Sequence, residues 1–349
     1  MASALERVWY GDSPAARLAR AALVPAELLY SGVVRLRGSL YDHGWLTAHA
    51  SPVPVLAIGN VSVGGTGKTP VAAWAVARLR ARGARPAVVM RGYGADEPLV
   101  HEALNPGVPV VVDADRVRGA RTALASGADC VVLDDAFQHR RLKRTADWVL
   151  VAVERFDRAL HLLPAGPLRE PQRAIARADV VVVTRKTETM QRAVDVAERL
   201  ESTSGVAAAV VYLRPDGVVN ALDGERRSLD ALRDVRVLRV AGVGAPEAFF
   251  AQVRAYGMLD STVMTYGDHH AFTADDVQFI LRSATRAEAV VCTLKDAVKL
   301  APLWPRDVLP LWYVSQRADV ERGAHVLDAS LATILAARAS TPSTAGAAG

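Results

Sequence analysis

A glycine-rich segment that ends in a lysine and a threonine, residues 58–70, carries the residue types best suited to phosphate chemistry. Its sequence is Ile-Gly-Asn-Val-Ser-Val-Gly-Gly-Thr-Gly-Lys-Thr-Pro, and it follows the apolar run 53–57. Glycines let several backbone N–H groups converge on one anion, and a following helix adds its positive dipole end. The pattern predicts a loop in which Lys68 reaches the β- and γ-phosphates of a nucleotide and Thr69 binds Mg²⁺. The residues expected at the nucleotide are Val61, Ser62, Val63, Gly64, Gly65, Thr66, Gly67, Lys68 and Thr69.

The loop departs from the usual phosphate-loop pattern at one position. That pattern has glycine five residues before Gly67, where this chain has Ser62, and Gly64 and Gly65 supply the flexibility instead. The alternative is a glycine-rich turn that binds no ligand. The Gly-Lys-Thr sequence between an apolar strand and a helix favours a variant phosphate loop.

Two acidic residues follow the apolar run 128–133, which predicts a buried strand. This strand would deliver Asp134 and Asp135 at its carboxyl end, downstream of the phosphate loop. An aliphatic strand that ends in aspartate is the usual partner of the Mg²⁺ of a bound nucleotide. The alternative is an aspartate that caps a helix or closes a turn.

Phosphoryl transfer to an alcohol also needs a group that accepts the hydroxyl proton. The residues available for this in predicted loops are Asp96, Asp135, His269 and His270. A histidine that is oriented by a carboxylate is a reasonable base for an alcohol. For the Asp-His-His segment, a turn with solvent-facing histidines is the alternative.

The elements that must position these residues follow from the apolar pattern. After the loop, strands are predicted at 87–90, 108–112, 128–133, 148–153 and 180–184, and helices at 70–82, 116–126 and 187–202. Two β-rich segments about the turn 215–217 predict a hairpin. Beyond it, strands are predicted at 235–241, 261–266 and 289–293, with helices at 246–256 and 274–286.

This order predicts an α/β fold with two domains. The first is a P-loop NTPase-like domain with a mostly parallel sheet over residues 51–205, and the second is a smaller C-terminal α/β domain over 223–338. The β-hairpin over 206–222 would join them. Residues 1–50 are predicted to form a helical N-terminal segment, and the small and polar residues 339–349 a disordered tail.

The net charge of +5 is compatible with nucleic acid, anionic lipid or a phosphorylated substrate as a partner. No helix-turn-helix or RNA-binding pattern accompanies it, so nucleic acid is a poor interpretation. The two cysteines, Cys130 and Cys292, lie in apolar runs, which is typical of buried thiols in a reducing compartment and predicts no metal site or disulfide. No secretory signal is predicted.

An interrupted apolar segment, residues 18–40, precedes the phosphate loop. Charged residues break it, so it does not predict a membrane-spanning helix. At helical spacing one face would carry Leu29, Gly32, Val33, Leu36 and Leu40, with Arg35 and Arg37 beside it. Such a helix lies either in a membrane interface, with its arginines toward lipid phosphates, or against the protein's own core.

Seven motifs, in this order along the chain, resemble the tetraacyldisaccharide 4'-kinase family of lipid A biosynthesis. They are Gly-Asn-Val-Ser-Val-Gly-Gly-Thr-Gly-Lys-Thr-Pro, Arg-Gly-Tyr-Gly, Asp-Glu-Pro, Asp-Asp-Ala-Phe-Gln-His, Leu-Pro-Ala-Gly-Pro-Leu-Arg-Glu, Asp-His-His and Lys-Asp-Ala-Val-Lys. The similarity extends from the N-terminal helix to about Leu335. The combination is far more specific than any one motif.

The resemblance implies a kinase that moves the γ-phosphate of ATP, with Mg²⁺, to the 4'-hydroxyl of a tetraacylated glucosamine disaccharide 1-phosphate. It implies Asp96 and His269 as the proton-accepting pair, Thr69 and Asp134 as metal residues, and Lys68 and Asp135 as catalytic residues. The substrate headgroup would be lined by Arg91, Tyr93, Gln138, His139 and Glu170. It further implies association with the cytoplasmic face of the bacterial inner membrane through the N-terminal helix, and no obligate protein partner.

Three positions depart from the family pattern. Ala95 and Ala136 stand where glycine is frequent, and Leu294 stands where the family often has Glu. A partition-type ATPase is the rival from another class, but such loops carry a signature lysine where this chain has Val63. A non-enzymatic nucleotide-binding scaffold would leave the loops at Asp96, Asp135 and His269 unexplained.

Overall fold

The computed structural model describes residues 4–92, 94, 96–158, 161–244 and 246–339. Within these ranges the chain forms two compact units. The larger unit contains residues 4–92, 104–213 and 318–339, and the smaller unit contains residues 94–103 and 214–317. The chain therefore leaves the larger unit twice and returns to it twice.

The elements are numbered in chain order. The strands are β1 Val55–Asn60, β2 Pro86–Met90, β3 Val110–Val112, β4 Cys130–Asp134, β5 Ala146–Ala152, β6 Val180–Arg185, β7 Ala208–Asn220, β8 Arg226–Arg227, β9 Arg236–Ala241, β10 Leu259–Thr265, β11 Ala289–Thr293 and β12 Leu311–Arg322. The helices are α1 Ala4–Tyr10, α2 Pro14–Asp42, α3 Lys68–Ala81, α4 Asp96–Leu104, α5 Arg116–Ala125, α6 Met190–Ser204, α7 Pro246–Ala255, α8 Ala274–Ser283, α9 Leu294–Leu300 and α10 Ala324–Ala339.

The larger unit is built on a parallel sheet in the order β3, β2, β4, β1, β5, β6 and the first part of β7. Its inner strands are almost entirely buried, because helices cover both faces of a parallel sheet. These strands therefore appear in the sequence as continuous apolar runs. The predicted α/β fold with a mostly parallel sheet is confirmed.

The smaller unit contains parallel strands in the order β10, β9, β11 and β12. Its helix α8 begins with a capping box, in which the Thr273 hydroxyl accepts from Asp276 N and the Asp276 carboxylate accepts from Thr273 N. Helix α9 begins directly after β11, where Thr293 caps it in the same manner by accepting from Asp296 N. Strand β11 therefore runs straight into its capped helix, whereas residues 266–273 separate β10 from α8.

The predicted hairpin about residues 215–217 is wrong. Strand β7 continues through these residues, and the antiparallel pair is formed later, by Val218 and Val219 with Arg227 and Arg226. Pro215 is tolerated because β6 pairs with β7 only as far as Tyr212, so no strand on that side needs a proline N–H. The Pro-Asp-Gly sequence thus lies within an extended strand, beyond the last residue pair between β6 and β7.

The boundaries of the predicted domains stay a prediction, but two segments lie in unexpected units. Residues 94–103 were expected with the phosphate loop and lie in the smaller unit, and residues 318–338 were expected with the C-terminal domain and lie in the larger unit. The predicted tail 339–349 falls outside the described residues except for Ala339.

Helix α2 exposes a continuous apolar face. Leu28, Leu29, Val33 and Leu36 are all more than half exposed, and Leu40 is half-buried. This face does not pack against the described part of the protein, but the helix contacts the larger unit elsewhere, as in the 3.0 Å hydrogen bond from Tyr30 Oη to Arg169 O, so the choice between the two alternatives stays a prediction. None of the helices in the described part of the chain is both long enough and apolar enough to cross a membrane.

The core of the larger unit depends on the C-terminal helix. Trp148 of β5 is fully buried, and its Nε1 donates a 2.8 Å hydrogen bond to Ser330 Oγ of α10. Its ring centroid lies 6.3 Å from that of Trp74 on α3. Residues 318–339 are therefore a structural part of the phosphate-loop unit.

We expect Ser330→Ala to destabilise the protein by about 1–3 kcal/mol, because the indole N–H of Trp148 would lose its buried partner. Urea unfolding measures the loss. Ser202→Ala removes an exposed helical serine of α6 and is the matched control, with an expected change within about 0.5 kcal/mol. Equal unfolding free energies for Ser330→Ala and wild type would contradict this role.

Candidate functional site

The phosphate loop joins β1 to α3 and is held by hydrogen bonds within the larger unit. Gly67, which precedes α3, has a φ of 83°, and a Cβ there would lie 2.2 Å from Leu213 Cδ1. Only glycine fits this conformation and this space. The loop is also fixed at Thr66, whose hydroxyl accepts from Asn60 Nδ2 at 2.9 Å and whose carbonyl accepts from Thr184 Oγ1 at 2.8 Å.

The structure brings the predicted metal residues together at the end of this loop. Thr69 Oγ1 donates a 3.1 Å hydrogen bond to Asp134 Oδ2, and Asp134 is the buried last residue of β4. A hydroxyl and a carboxylate are the hard oxygen donors that Mg²⁺ prefers beside nucleotide phosphates. The donor set therefore fits Mg²⁺.

Asp135 lies between two cations of the larger unit. Its Oδ1 is 3.6 Å from Lys68 Nζ, and Arg169 Nη1 donates to both of its oxygens, at 2.9 and 3.1 Å. The backbone of Asp135 has a φ of 53°, a left-handed conformation that aspartate tolerates better than most residues. The turn after β4 thus directs the two successive carboxylates to different partners, Thr69 and Lys68.

Two of the residues predicted at the substrate headgroup are tied into the larger unit. Gln138 Nε2 donates to Asn60 O at 2.8 Å. Both oxygens of the buried Glu170 accept from Arg177, at 2.7 and 3.1 Å. Their predicted contact with substrate stays a prediction, and Glu170 would have to share its carboxylate with Arg177.

The remaining predicted headgroup residues differ in their surroundings. Arg91 is exposed after β2, and Tyr93 lies outside the described residues. His139 is half-buried, and burial, followed by the charges of Arg116 and Arg144, lowers its pKa to about 4. Its imidazole is therefore neutral at physiological pH and would serve a substrate as a hydrogen-bonding group rather than as a charge.

The predicted proton-accepting pair is formed in the smaller unit. His269 Nδ1 lies 2.9 Å from Oδ1 of Asp96, the first residue of α4. Asp96 is 2% exposed, whereas the His269 side chain is 34% exposed. A Cβ on Gly94 would lie 2.3 Å from Asp96 Oδ1 and 2.6 Å from His269 Nδ1, so glycine leaves the space for this contact.

The ionisation of Asp96 reflects this contact. Burial raises its pKa, but the hydrogen bond with His269 and the charges of His269 and Lys299 act in the opposite direction, and the net pKa is below the ordinary value. Asp96 is therefore a carboxylate at neutral pH, and the imidazole keeps a negatively charged partner.

The structure separates the two adjacent histidines. His270 Nε2 lies 3.1 Å from Asp276 Oδ2, at the cap of α8, and its ring packs against Tyr266 and Phe272 at centroid distances of 4.7 and 5.0 Å. His270 is thus bound within a cap and an aromatic cluster, and of the two it is His269 that faces Asp96. The sequence alone left this choice to the family resemblance.

Sequence reasoning gave no site role to three residues that contact the candidate groups. Arg169 was noted only as a neighbour of Glu170, yet it binds Asp135. Lys299 and Asp296 lie beside Asp96 in the smaller unit. The signal for them was the Lys-Asp-Ala-Val-Lys motif, because its aspartate and last lysine are three residues apart and share a helix face.

Comparisons with known proteins identify the family of the chain. A family model described as tetraacyldisaccharide-1-P 4'-kinase matches residues 19–336. The tetraacyldisaccharide 4'-kinase of Anaeromyxobacter sp. (strain K) is 37% identical over 364 residues, covering 96% of this chain and 96% of that protein. The enzyme of the same name from Halorhodospira halophila is 37% identical over 325 residues, covering 88% and 90%.

A solved structure is similar over nearly its whole length. A crystal structure of LpxK from Aquifex aeolicus in complex with ATP matches with a TM-score of 0.73 and 28% sequence identity, covering 90% of this chain and 99% of that chain. The similarity therefore extends through both compact units.

We expect Gly94→Ala to raise the pKa of Asp96, because the added methyl group would displace His269 and remove the hydrogen bond and the charge that oppose the effect of burial. Carboxyl ¹³C NMR titration of Asp96 measures the pKa. Gly267→Ala is the matched control, since a Cβ at Gly267 meets no atom within 4 Å. An Asp96 pKa that is the same in Gly94→Ala and wild type would show that glycine is not needed for the contact.

Proposed function

Because this chain belongs to the tetraacyldisaccharide 4'-kinase family, whose members act in lipid A biosynthesis, we propose that it transfers the γ-phosphate of ATP to the 4'-hydroxyl of a tetraacylated glucosamine disaccharide 1-phosphate. The observation that carries the proposal is the packing of Thr69 against Asp134 and of Lys68 against Asp135 at the end of one glycine loop. The ATP complex of the Aquifex relative supports ATP as the donor.

We propose Thr69 and Asp134 as the residues that hold Mg²⁺. When bound, the ion would neutralise charge on the β- and γ-phosphates. Lys68 would add positive charge at the same phosphates, and its 3.6 Å contact with Asp135 holds it at the loop end. Backbone N–H groups of the loop would bind the phosphates themselves, apart from those of Val63 and Thr66, which donate to Pro167 O and Gly64 O.

The Asp96–His269 pair would accept the proton of the acceptor hydroxyl. Asp96 takes the hydrogen bond of Nδ1–H, which leaves Nε2 as the basic nitrogen of the imidazole. His269 is the more exposed member, so it is the one that reaches a substrate. A carboxylate behind a histidine holds the imidazole in one tautomer and stabilises its charged form.

The substrate headgroup would be bound by Arg91, Tyr93, Gln138, His139 and Glu170, as the family resemblance implies. Arg91 supplies an exposed cation for a phosphorylated sugar. Gln138 and Glu170 are held by their own hydrogen bonds, which reduces the entropy lost on binding.

The exposed apolar face of α2 supports peripheral association with the cytoplasmic face of the bacterial inner membrane. Leu29, Val33 and Leu36 would enter the lipid interface, where the acyl chains of the substrate also reside. Arg35 is exposed beside this face, whereas Arg37 donates to Gln138 O and is partly committed to the protein. We propose no protein or nucleic acid partner.

We expect Asp96→Asn and His269→Gln each to reduce phosphoryl transfer by about 10²- to 10⁴-fold, the usual contribution of a positioned base, without weakening ATP binding. The assay follows label from γ-labelled ATP to detergent-dispersed disaccharide lipid. His270→Gln is the matched control and should keep most of the activity, because His270 contacts Asp276 rather than Asp96. Near wild-type turnover in both dyad variants would exclude this pair as the base, and label found only as free phosphate would favour an ATPase.

We expect Leu29→Ser combined with Leu36→Ser to abolish binding to vesicles that contain anionic lipid, because both side chains belong to the exposed face of α2. Vesicle flotation measures the bound fraction. Phe279→Ser, at an exposed residue of α8, is the control for general surface hydrophobicity. Wild-type flotation of the double variant would exclude α2 as the membrane contact.

A further inference from the structure

Lys299 of α9 lies between two buried carboxylates of the smaller unit. Its Nζ is 3.7 Å from Asp96 Oδ2 and 3.8 Å from Asp296 Oδ1. Asp296 is fully buried, and the Lys299 side chain itself is only 12% exposed. Because charges buried to this degree need partners of opposite sign, the three residues form one charge cluster.

Asp296 is the fixed end of this cluster. Its Oδ2 accepts from Thr293 Oγ1 at 2.7 Å and from Gly242 N at 3.1 Å. A Cβ on Gly242 would lie 2.9 Å from Asp296 Oδ1, so glycine keeps space on that side as well. With Oδ2 bound to two donors, Oδ1 is the oxygen that faces Lys299.

Lys299 is held by its place on α9 and by an aromatic ring. It is three residues after Asp296 and therefore projects from the same face of the helix. Its ammonium lies 5.3 Å from the centre of the Phe272 ring, within the range of a cation–π contact. The long side chain thus has a defined path to Asp96.

The two oxygens of Asp96 have different partners. Oδ1 contacts His269 Nδ1 at 2.9 Å, and Oδ2 faces the Lys299 ammonium. The ammonium charge on the Oδ2 side opposes rotation of the carboxylate away from the imidazole. Lys299 therefore acts on His269 without touching it.

The charge of the cluster suits a group that must gain a proton. With His269 neutral, two carboxylates and one ammonium leave a single negative charge, and a proton on the imidazole makes the cluster neutral. Asp268 Oδ1, 3.9 Å from His269 Nε2, adds a further but half-exposed and screened charge. Without Lys299, two negative charges would lie together in the interior.

We propose that Lys299 is a positioning residue of the Asp96–His269 pair and that Asp296 holds Lys299 in place. The inference rests on the proposed function, because it assigns a role to Lys299 in the same proton transfer. The competing explanation is an ion pair that only joins α9 to α4 and has no effect on the reaction.

The test compares Lys299→Met with Lys299→Arg, Asp296→Asn and the control Lys295→Met, which makes the same change elsewhere on α9. The kcat, the KM for ATP and the pH dependence of transfer to the disaccharide lipid are measured. Lys299→Met should lower kcat about 10- to 100-fold with an unchanged KM for ATP, because the base is displaced and not the nucleotide. Lys299→Arg should restore part of the loss, and Lys295→Met should resemble wild type.

The acid limb of the pH profile should shift in opposite directions in two of the variants. Removal of a positive charge in Lys299→Met raises the pKa of neighbouring groups and moves the limb to higher pH, whereas removal of a negative charge in Asp296→Asn moves it to lower pH. An ion pair that only stabilises the fold would change the melting temperature and leave kcat at the pH optimum in place, so the shift of the limb supports positioning only together with the loss of kcat. If Lys299→Met does not fold, the inference is tested by the other two variants. Asp296→Asn should shift the acid limb to lower pH, and Lys299→Arg should keep part of the activity.

A direct readout separates this inference from the proposed function. The ¹⁵N and ¹H resonances of the His269 ring report the Nδ1 hydrogen bond without catalysis, and they should change in Lys299→Met but not in Lys295→Met. If wild type transfers no phosphate to the lipid, the proposed function fails, and the resonances still test the positioning. Unchanged kcat, pH profile and His269 resonances in Lys299→Met would overturn the inference.

Discussion

The register between β1 and β4 is the constraint on which the phosphate-loop unit depends. Ile58 pairs with Asp134, so the strand that leads into the loop ends beside the strand that supplies the carboxylates. Because side chains alternate along a strand, a slip of one residue would turn Asp134 to the opposite face and away from Thr69. Both strands are buried on both faces, so a slip would force side chains of different size into closely packed positions, and this packing opposes it. Core packing therefore sets the geometry of the charged site.

Much of the larger unit could be predicted because its strands are continuous apolar runs and its loop has a recognisable sequence. The elements that were not predicted have local sequences that are typical of more than one structure. Helix α4 was hidden by Asp-Glu-Pro, which resembles a turn, but proline is compatible with the first turn of a helix. In β7, Pro-Asp-Gly predicted a hairpin, but the strand continues through it. In both cases the local sequence was compatible with two structures, and packing against the neighbouring elements determined which of the two forms.

The candidate site likewise contains some contacts that the sequence could predict and others that it could not. Lys68, Thr69, Asp134 and Asp135 are close in the chain or at the ends of adjacent strands, so their proximity follows from the order of the elements. The contact of Asp96 with His269 joins residues 173 positions apart, and only tertiary structure distinguishes His269 from His270. Lys299 was harder still, because its partners lie on three separate elements. The family resemblance identified the Asp96–His269 pair, whereas the contact of Lys299 with Asp96 could be identified only from the tertiary structure.

The discontinuity of the larger unit has a consequence for how the protein is made. Its core includes α10, whose Ser330 binds Trp148, although the two residues are 182 positions apart. A ribosome that has synthesised the phosphate loop and all of β1 to β6 has therefore not yet produced the helix that completes their core. The smaller unit is also encoded entirely before that helix. Nascent chains must then keep an incomplete apolar surface, next to Trp148, shielded until α10 leaves the ribosome.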